Sequence, residues 1–155
     1  MKKTKGDYRY TESGLDNILL TGVTIHKCAC GEVMPELKDV ERIHRTIADV
    51  LVKKDTRLSG REVRFLRKET GMSAKELAGL LSVSPVTVSR WESGKEKVGS
   101  VSDKLIRMLY VQIMQERSHK VCVGVVSDIK SIKPKESRIS LKIDLSHDIG
   151  CLTPV

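Results

Sequence analysis

The sequence predicts a mixed α+β fold, and three stretches predict it. From Tyr8 to Lys27 the chain reads as short strands. Tyr8-Arg-Tyr-Thr, Asn17-Ile-Leu-Leu-Thr and Val23-Thr-Ile-His-Lys are parted by turn signals at Ser13-Gly14 and Thr21-Gly22. From Ser73 to Gly94 it reads as two short helices joined by a tight turn. Near its end Arg138-Ile-Ser-Leu-Lys-Ile-Asp-Leu alternates strictly, which puts Ile139, Leu141, Ile143 and Leu145 on one face of a strand. That strand needs a partner, which its own chain, a second copy or another protein could supply.

In chain order, Lys2–Lys5 reads as a disordered basic arm. The small sheet after it is sparsely hydrophobic, so it must pack on a following helix or be held by a metal. Cys28-Ala-Cys30-Gly follows. Two thiolates can begin a zinc site, but the second pair that closes the tetrahedron is missing, and the nearest further ligands are His26 and His44. The favoured reading is a pair of cysteines on one face of a strand; a degenerate zinc site at Cys28 and Cys30 is the alternative.

Pro35–Lys54 reads as a helix, with Val40, Ile43, Ile47, Val50 and Leu51 at spacings of three and four. His44 lies beside that stripe and reads as a partly buried, hydrogen-bonded histidine. Asp55-Thr-Arg makes the turn. Ser59 and Glu62 then form a capping box, in which hydroxyl and carboxylate each satisfy a backbone N–H at the helix start. In that helix Val63, Phe65 and Leu66 face inward while Arg61, Arg64 and Lys68 face out, and Gly71-Met72 closes it.

The centre of the chain carries the strongest signal. Ser73 and Glu76 form a second capping box, and Leu77, Ala78, Leu80 and Leu81 supply an apolar face. Ser82-Val83 turns the chain. Ser84 caps the next helix, with Pro85 at its first position, where a missing N–H does no harm. Val88 and Trp91 point to the core, Gly94 ends the helix in the left-handed conformation, and Val86, Thr87, Ser89 and Arg90 are left outside. Lys95 and Lys97 follow in the loop. A last helix, about Ser102 to Glu116, carries Leu105, Ile106, Leu109, Val111, Ile113 and Met114, more apolar surface than one packed face requires. A dimer seam and simple core packing both account for it.

Composition narrows the function. The chain has 155 residues, with 28 basic against 20 acidic side chains and a formal charge of +8, and its pI is near 9.4. Such a surplus favours polyanions through counterion release. Aromatic residues make up 3% of the chain, too few for the stacking platforms of single-strand binders. No apolar run reaches membrane-spanning length, and the N-terminus has no apolar signal core. Cys28, Cys30, Cys122 and Cys151 suggest no disulfide framework, which fits a reducing cytoplasm. An enzyme is not expected, since no oriented acid–base pair and no glycine-rich phosphate loop can be found.

Glu-Leu-Ala followed by Val-Ser-Pro-Val-Thr-Val-Ser-Arg-Trp-Glu-x-Gly resembles the helix-turn-helix domain of the phage-repressor (Cro/C1, or XRE) superfamily. Such a domain is five-helical and presents the second helix of the motif to the major groove. More of the chain is similar to the MqsA-type antitoxins, also called the YgiT zinc-finger/helix-turn-helix family. The residues concerned are Tyr8-Arg-Tyr-Thr-Glu-Ser-Gly-Leu-Asp-Asn-Ile, Cys28-Ala-Cys-Gly-Glu and Leu58-Ser-Gly-Arg-Glu-Val-Arg-Phe-Leu-Arg-Lys-Glu. The resemblance runs from about Tyr8 to Tyr110 and leaves the tail outside.

It implies a zinc-binding N-terminal module, a dimeric DNA-binding domain acting on palindromic operators, and in some members neutralisation of an mRNA-cleaving toxin. The base-reading arginine falls on Arg90 and its serine neighbour on Ser89. A second, polar base reader falls on Val86, which can meet a thymine methyl but cannot hydrogen-bond. The paired zinc knuckles are absent here.

The expected organisation is a sheet-plus-helix module over 1–56, a helix-turn-helix domain over 57–117 and a β-prone tail over 118–155. The expected function is a cytoplasmic, nucleoid-associated repressor of double-stranded DNA, acting as a homodimer, with an antitoxin role left open. The alternative is an interaction module that mainly neutralises a toxin through the N-terminal domain. Candidate DNA contacts are Ser73, Lys75, Ser84, Pro85, Val86, Thr87, Ser89, Arg90, Lys95 and Lys97; no cofactor is firmly expected, and no membrane.

Overall fold

The computed structural model describes residues 2–118, 133–136 and 140–145. In chain order the elements are β1 (Lys2–Arg9), β2 (Ile18–Lys27), β3 (Val33–Glu36), α1 (Val40–Lys53), β4 (Thr56–Arg57), α2 (Gly60–Glu69), α3 (Ala74–Leu80), α4 (Pro85–Glu92), α5 (Ser100–Ser118), β5 (Lys133–Glu136) and β6 (Leu141–Asp144). The class is α+β. The chain divides into two compact units, Met1–Ile47 with Arg138–Val155, and Ala48–Ser137.

The first unit is a sheet built around β2. Strand β1 runs antiparallel along one edge of β2, while β3 (antiparallel) and β6 (parallel) share the other. The strictly alternating stretch near the chain's end thus finds its partner within its own chain, pairing Leu141 with Ile18 and Ile143 with Leu20. Ile18, Leu20, Val23, Ile25, Leu141 and Ile143 are buried on one face, together with Tyr10, Leu15 and, from α1, Ile43 and Ile47. The Tyr10 hydroxyl meets His44 Nε2 at 2.7 Å, so His44 is a half-buried, hydrogen-bonded residue.

Several expectations are corrected in this unit. Lys2–Lys5 is no disordered arm but the start of β1, with Lys2 opposite Lys27 and Lys3 opposite His26. Thr21-Gly22 does not end a strand: β2 continues through it, with Gly22 at φ 70° and a register shift opposite, between Gly6 and Tyr8. A bulge absorbs the turn signal and moves the buried set from Ile18 and Leu20 to Val23 and Ile25. The helix expected from Pro35 begins at Val40. Pro35 sits in β3 instead, and Asp39 caps the helix by accepting from the Arg42 N–H at 3.0 Å. Cys28 and Cys30 lie not on a strand face but in the turn after β2, where Gly31 N–H donates to the Cys28 carbonyl at 3.0 Å.

The second unit is helical. Leu58, Val63, Phe65, Leu66, Leu77, Ala78, Leu81, Val88, Trp91, Val98, Ile106 and Tyr110 are buried in it. Leu80, expected on the apolar face of α3, is exposed, and so is Leu105 on α5. The segment Asp55-Thr-Arg is more than a turn, because Thr56–Arg57 pairs in parallel with β5.

Charged side chains also sit deep in this unit. Arg107 is fully buried on α5; it pairs with Asp103 and donates to the carbonyls of Val52 (3.0 Å), Lys54 (2.6 Å) and Thr56 (2.6 Å). Asp103 in turn accepts the Leu58 N–H at 2.7 Å. Lys54 Nζ meets the carboxylate of Glu62 at 2.6 Å, both buried. Buried charge is costly unless it is paired and hydrogen-bonded, and these pairs fasten the chain entering α2 onto α5. The β-prone run Val121–Val126, the cysteines Cys122 and Cys151, and most of the basic loop that starts at Lys130 lie outside the described residues.

Candidate nucleic-acid interface

Helices α3 and α4 are short because each is capped at both ends. Ser73 Oγ accepts the Glu76 N–H and the Glu76 carboxylate accepts the Ser73 N–H at 2.7 Å, which completes the capping box. Helix α4 has Ser84 as its N-cap, accepting the Thr87 N–H at 3.1 Å, with Pro85 just inside.

The C-terminal ends of α2, α3 and α4 repeat one pattern, the Schellman motif. In α4 the Gly94 N–H donates to Trp91 and the Lys95 N–H to Arg90, with Gly94 at φ 74°. In α2 Gly71 donates to Lys68 and Met72 to Arg67, with Gly71 at φ 76°. In α3 Ser82 donates to Gly79 and Val83 to Ala78, so Ser82 takes the left-handed position at φ 54°. A serine there is strained by its Cβ, and the tight α3–α4 turn depends on it.

Helix α4 buries Val88 and Trp91 against α2 and α3, and the opposite face is left open. Pro85, Val86, Ser89 and Arg90 are exposed on it, and Val86 keeps 59% of its surface. Thr87 is half-buried and its hydroxyl lies 2.9 Å from Ser84 Oγ, so these two oxygens are partly spent on each other. Ser73 and Lys75 are exposed at the start of α3, as are Lys95 and Lys97 in the loop after α4. Ser73, like Ser84, has its oxygen committed to a cap. What α4 presents outward is therefore one guanidinium, one free-standing hydroxyl at Ser89 and one apolar side chain, flanked by lysines.

Two contacts fix that helix. Arg67 on α2 grips Glu92, the last residue of α4, through Nε–Oε1 at 2.6 Å and Nη2–Oε2 at 3.0 Å. The hydrogen bond to Glu92 raises the pKa of Arg67. Gly60, the first residue of α2, lies under the end of α4: a Cβ there would come within 1.7 Å of the Trp91 carbonyl oxygen. Arg67 is not legible in the sequence, because its partner is far away along the chain and an arginine on an amphipathic helix reads as solvated.

Cys28 and Cys30 lie in the other unit. Among the described residues no group of three or more His, Cys, Asp or Glu side chains could hold a metal ion. His26 faces Glu36 at 3.4 Å and His44 faces Tyr10. The two thiols offer half of what a tetrahedral zinc site requires.

With this geometry in place, comparison with known proteins bears on the second unit alone. A family model described as a helix-turn-helix domain matches residues 60–109, from the start of α2 into α5. Over those residues the chain is similar to a helix-turn-helix domain. No curated protein and no solved structure matches the chain. Within the matched segment α3 and α4 occupy the places of the motif's two helices; in helix-turn-helix proteins that bind DNA the second of these enters the major groove. Among the described residues no helix is long and apolar enough to cross a membrane.

Proposed function

We propose that the protein is a sequence-specific repressor that binds double-stranded DNA, a binding protein rather than an enzyme, working in the cytoplasm on the nucleoid. The observation that carries this reading is the outer face of α4, which holds Arg90, Ser89 and Val86 exposed on a helix capped at its start and braced at its end. Arg90 would take a guanine edge through two parallel bonds, Val86 a thymine methyl, and Ser89 and Thr87 a base or phosphate. Lys75, Lys95 and Lys97, with the helix starts capped by Ser73 and Ser84, would hold the backbone.

A homodimer on an inverted repeat is part of the proposal. Val101, Leu105 and Met108 on α5 are 70%, 39% and 48% exposed at spacings of four and three, an apolar stripe suited to a second copy. The resemblance to MqsA-type antitoxins adds a toxin-neutralising role for the N-terminal unit as the second reading. The exposed Val33 and Met34 of β3 favour it as an attachment point. Zinc enters neither reading as a requirement.

Titration of a fluorescent duplex tests the first reading. Arg90→Ala costs about 1–3 kcal/mol on the preferred site and relaxes one base position. Equal loss on scrambled DNA reduces Arg90 to a phosphate contact.

A further inference from the structure

Strand β2 ends in a loop that carries two thiols. The Cys28 N–H donates to the Glu32 carbonyl at 2.9 Å and the Gly31 N–H to the Cys28 carbonyl at 3.0 Å, and Gly31 is left-handed at φ 88°. This is the three-residue hairpin loop in which a tight turn is followed by a left-handed residue. Cys28 and Cys30 are the first and third residues of that turn. About 5.5 Å separates the Cα atoms of such residues, inside the span that a disulfide bridges. The side chains meet there as well. The Cys28 sulfur accepts the Cys30 S–H and the backbone N–H groups of Cys30 and Ala29. Cys28 is half-buried and Cys30 exposed, both as free thiols. Neither belongs to the buried core, so they do not serve as packing hydrophobes.

We infer that Cys28 and Cys30 form a redox site, a dithiol that small-molecule disulfides such as oxidised glutathione close into an intramolecular disulfide. The inference is independent of the duplex-binding reading above. Hydrogen bonds aimed at a sulfur favour its thiolate, which makes Cys28 the attacking group. Its thiolate attacks one sulfur of the small disulfide. That S–S bond breaks, a mixed disulfide forms on Cys28, and one small thiolate leaves. Cys30, already hydrogen-bonded to the Cys28 sulfur, attacks it next and releases the second small thiolate. The protons of the two cysteines pass to the two leaving thiolates, so the protein gives up two electrons and the small disulfide gains them. An exposed disulfide is easily reduced again. That suits a reducing compartment, which holds the pair open until an oxidant accumulates.

The test uses the full-length protein carrying C122S/C151S, which leaves Cys28 and Cys30 as its two thiols. It is equilibrated across a series of reduced-to-oxidised glutathione ratios, quenched with an alkylating agent and weighed by mass spectrometry. Both thiols disappear together, with the loss of two hydrogens and no glutathione retained. With C30S added, the protein instead stops at a glutathione adduct on Cys28. Unfolding in urea releases the turn, and the midpoint of closure moves about tenfold toward the oxidised buffer, the cost of ordering a single backbone residue. Glutathione adducts on both cysteines, or disulfide-linked pairs of chains, overturn the ring. An unchanged midpoint in urea shows that any Cys-Ala-Cys peptide behaves alike, and overturns the site as a property of this fold.

Discussion

Arg67 and Glu92 are joined side by side, two nitrogens to two oxygens, at 2.6 and 3.0 Å. The same guanidinium donates a third bond, from Nη1 to the Met72 carbonyl at 2.8 Å. One side chain on α2 thereby fixes both the end of α4 and the entry to α3.

Removing one partner leaves the other charge stranded at a partly buried site, which costs more than the bond itself is worth. Glu92→Ala should lower the stability of the helical unit by about 2 kcal/mol, read from urea unfolding. A change within about 0.5 kcal/mol, the range of ordinary surface substitutions, would show that the brace is dispensable.

Arg107 is the more extreme case. It is fully buried and serves Asp103 and three backbone carbonyls at once. Lysine has the charge but not the planar fork, so Arg107→Lys cannot reach all four partners. Arg107→Lys should lose about 3 kcal/mol or more, on the scale of a broken buried pair. A urea midpoint equal to wild type would contradict the network's role.

Gly60 is required by contact rather than by backbone angle. The Trp91 carbonyl oxygen occupies the space a methyl would need, 1.7 Å from it, and that oxygen belongs to backbone that cannot swing aside. Gly60→Ala should cost about 2–3 kcal/mol, the upper part of the range for overpacking, and pry α2 from the end of α4. Thermal melting checks this, because alanine in an unobstructed helix position would instead stabilise.

Glu76 supplies a pH signature. Its pKa is lowered, first by the Ser73 N–H it accepts from and then by the Ser73 hydroxyl. A depressed carboxyl pKa contributes stability that is fully present above the ordinary range, near ~4.3, and fades as pH falls through the folded value. The stability gap between wild type and Glu76→Gln should therefore close as pH drops from 7 to 3. A gap independent of pH would mean that the charge plays no part in the cap.

How much of this was legible follows from the range of the interactions. Ser59, Ser73, Ser84, Gly71 and Gly94 announce themselves, because caps act on backbone groups a few residues away. Val88 and Trp91 show through helical spacing alone. Ser82 reads as a turn but not as a left-handed residue, since serine carries no mark of that strain. The sheet was harder. Gly22 reads as a turn because a bulge uses the same residue type, and Lys2–Lys5 reads as loose because edge strands are dressed in charge. Least visible were Arg107, Asp103 and Lys54, and Glu62 shows as a cap but not as the partner of a buried lysine. A charged residue on a helix defaults to solvent in any local reading, and only the meeting of distant segments gives it a reason to be inside. On the candidate interface the residues of α4 were legible, while the partner that steadies them, Arg67, was not.

The most direct measurement is selection of binding sites from random duplex DNA at near-physiological salt, with Arg90→Ala run in parallel. The account predicts an enriched inverted repeat with the wild-type protein. It also predicts loss of that repeat, or of one base position in each half, with Arg90→Ala. Recovery of duplexes without any common motif, at equal yield for both proteins, would contradict it.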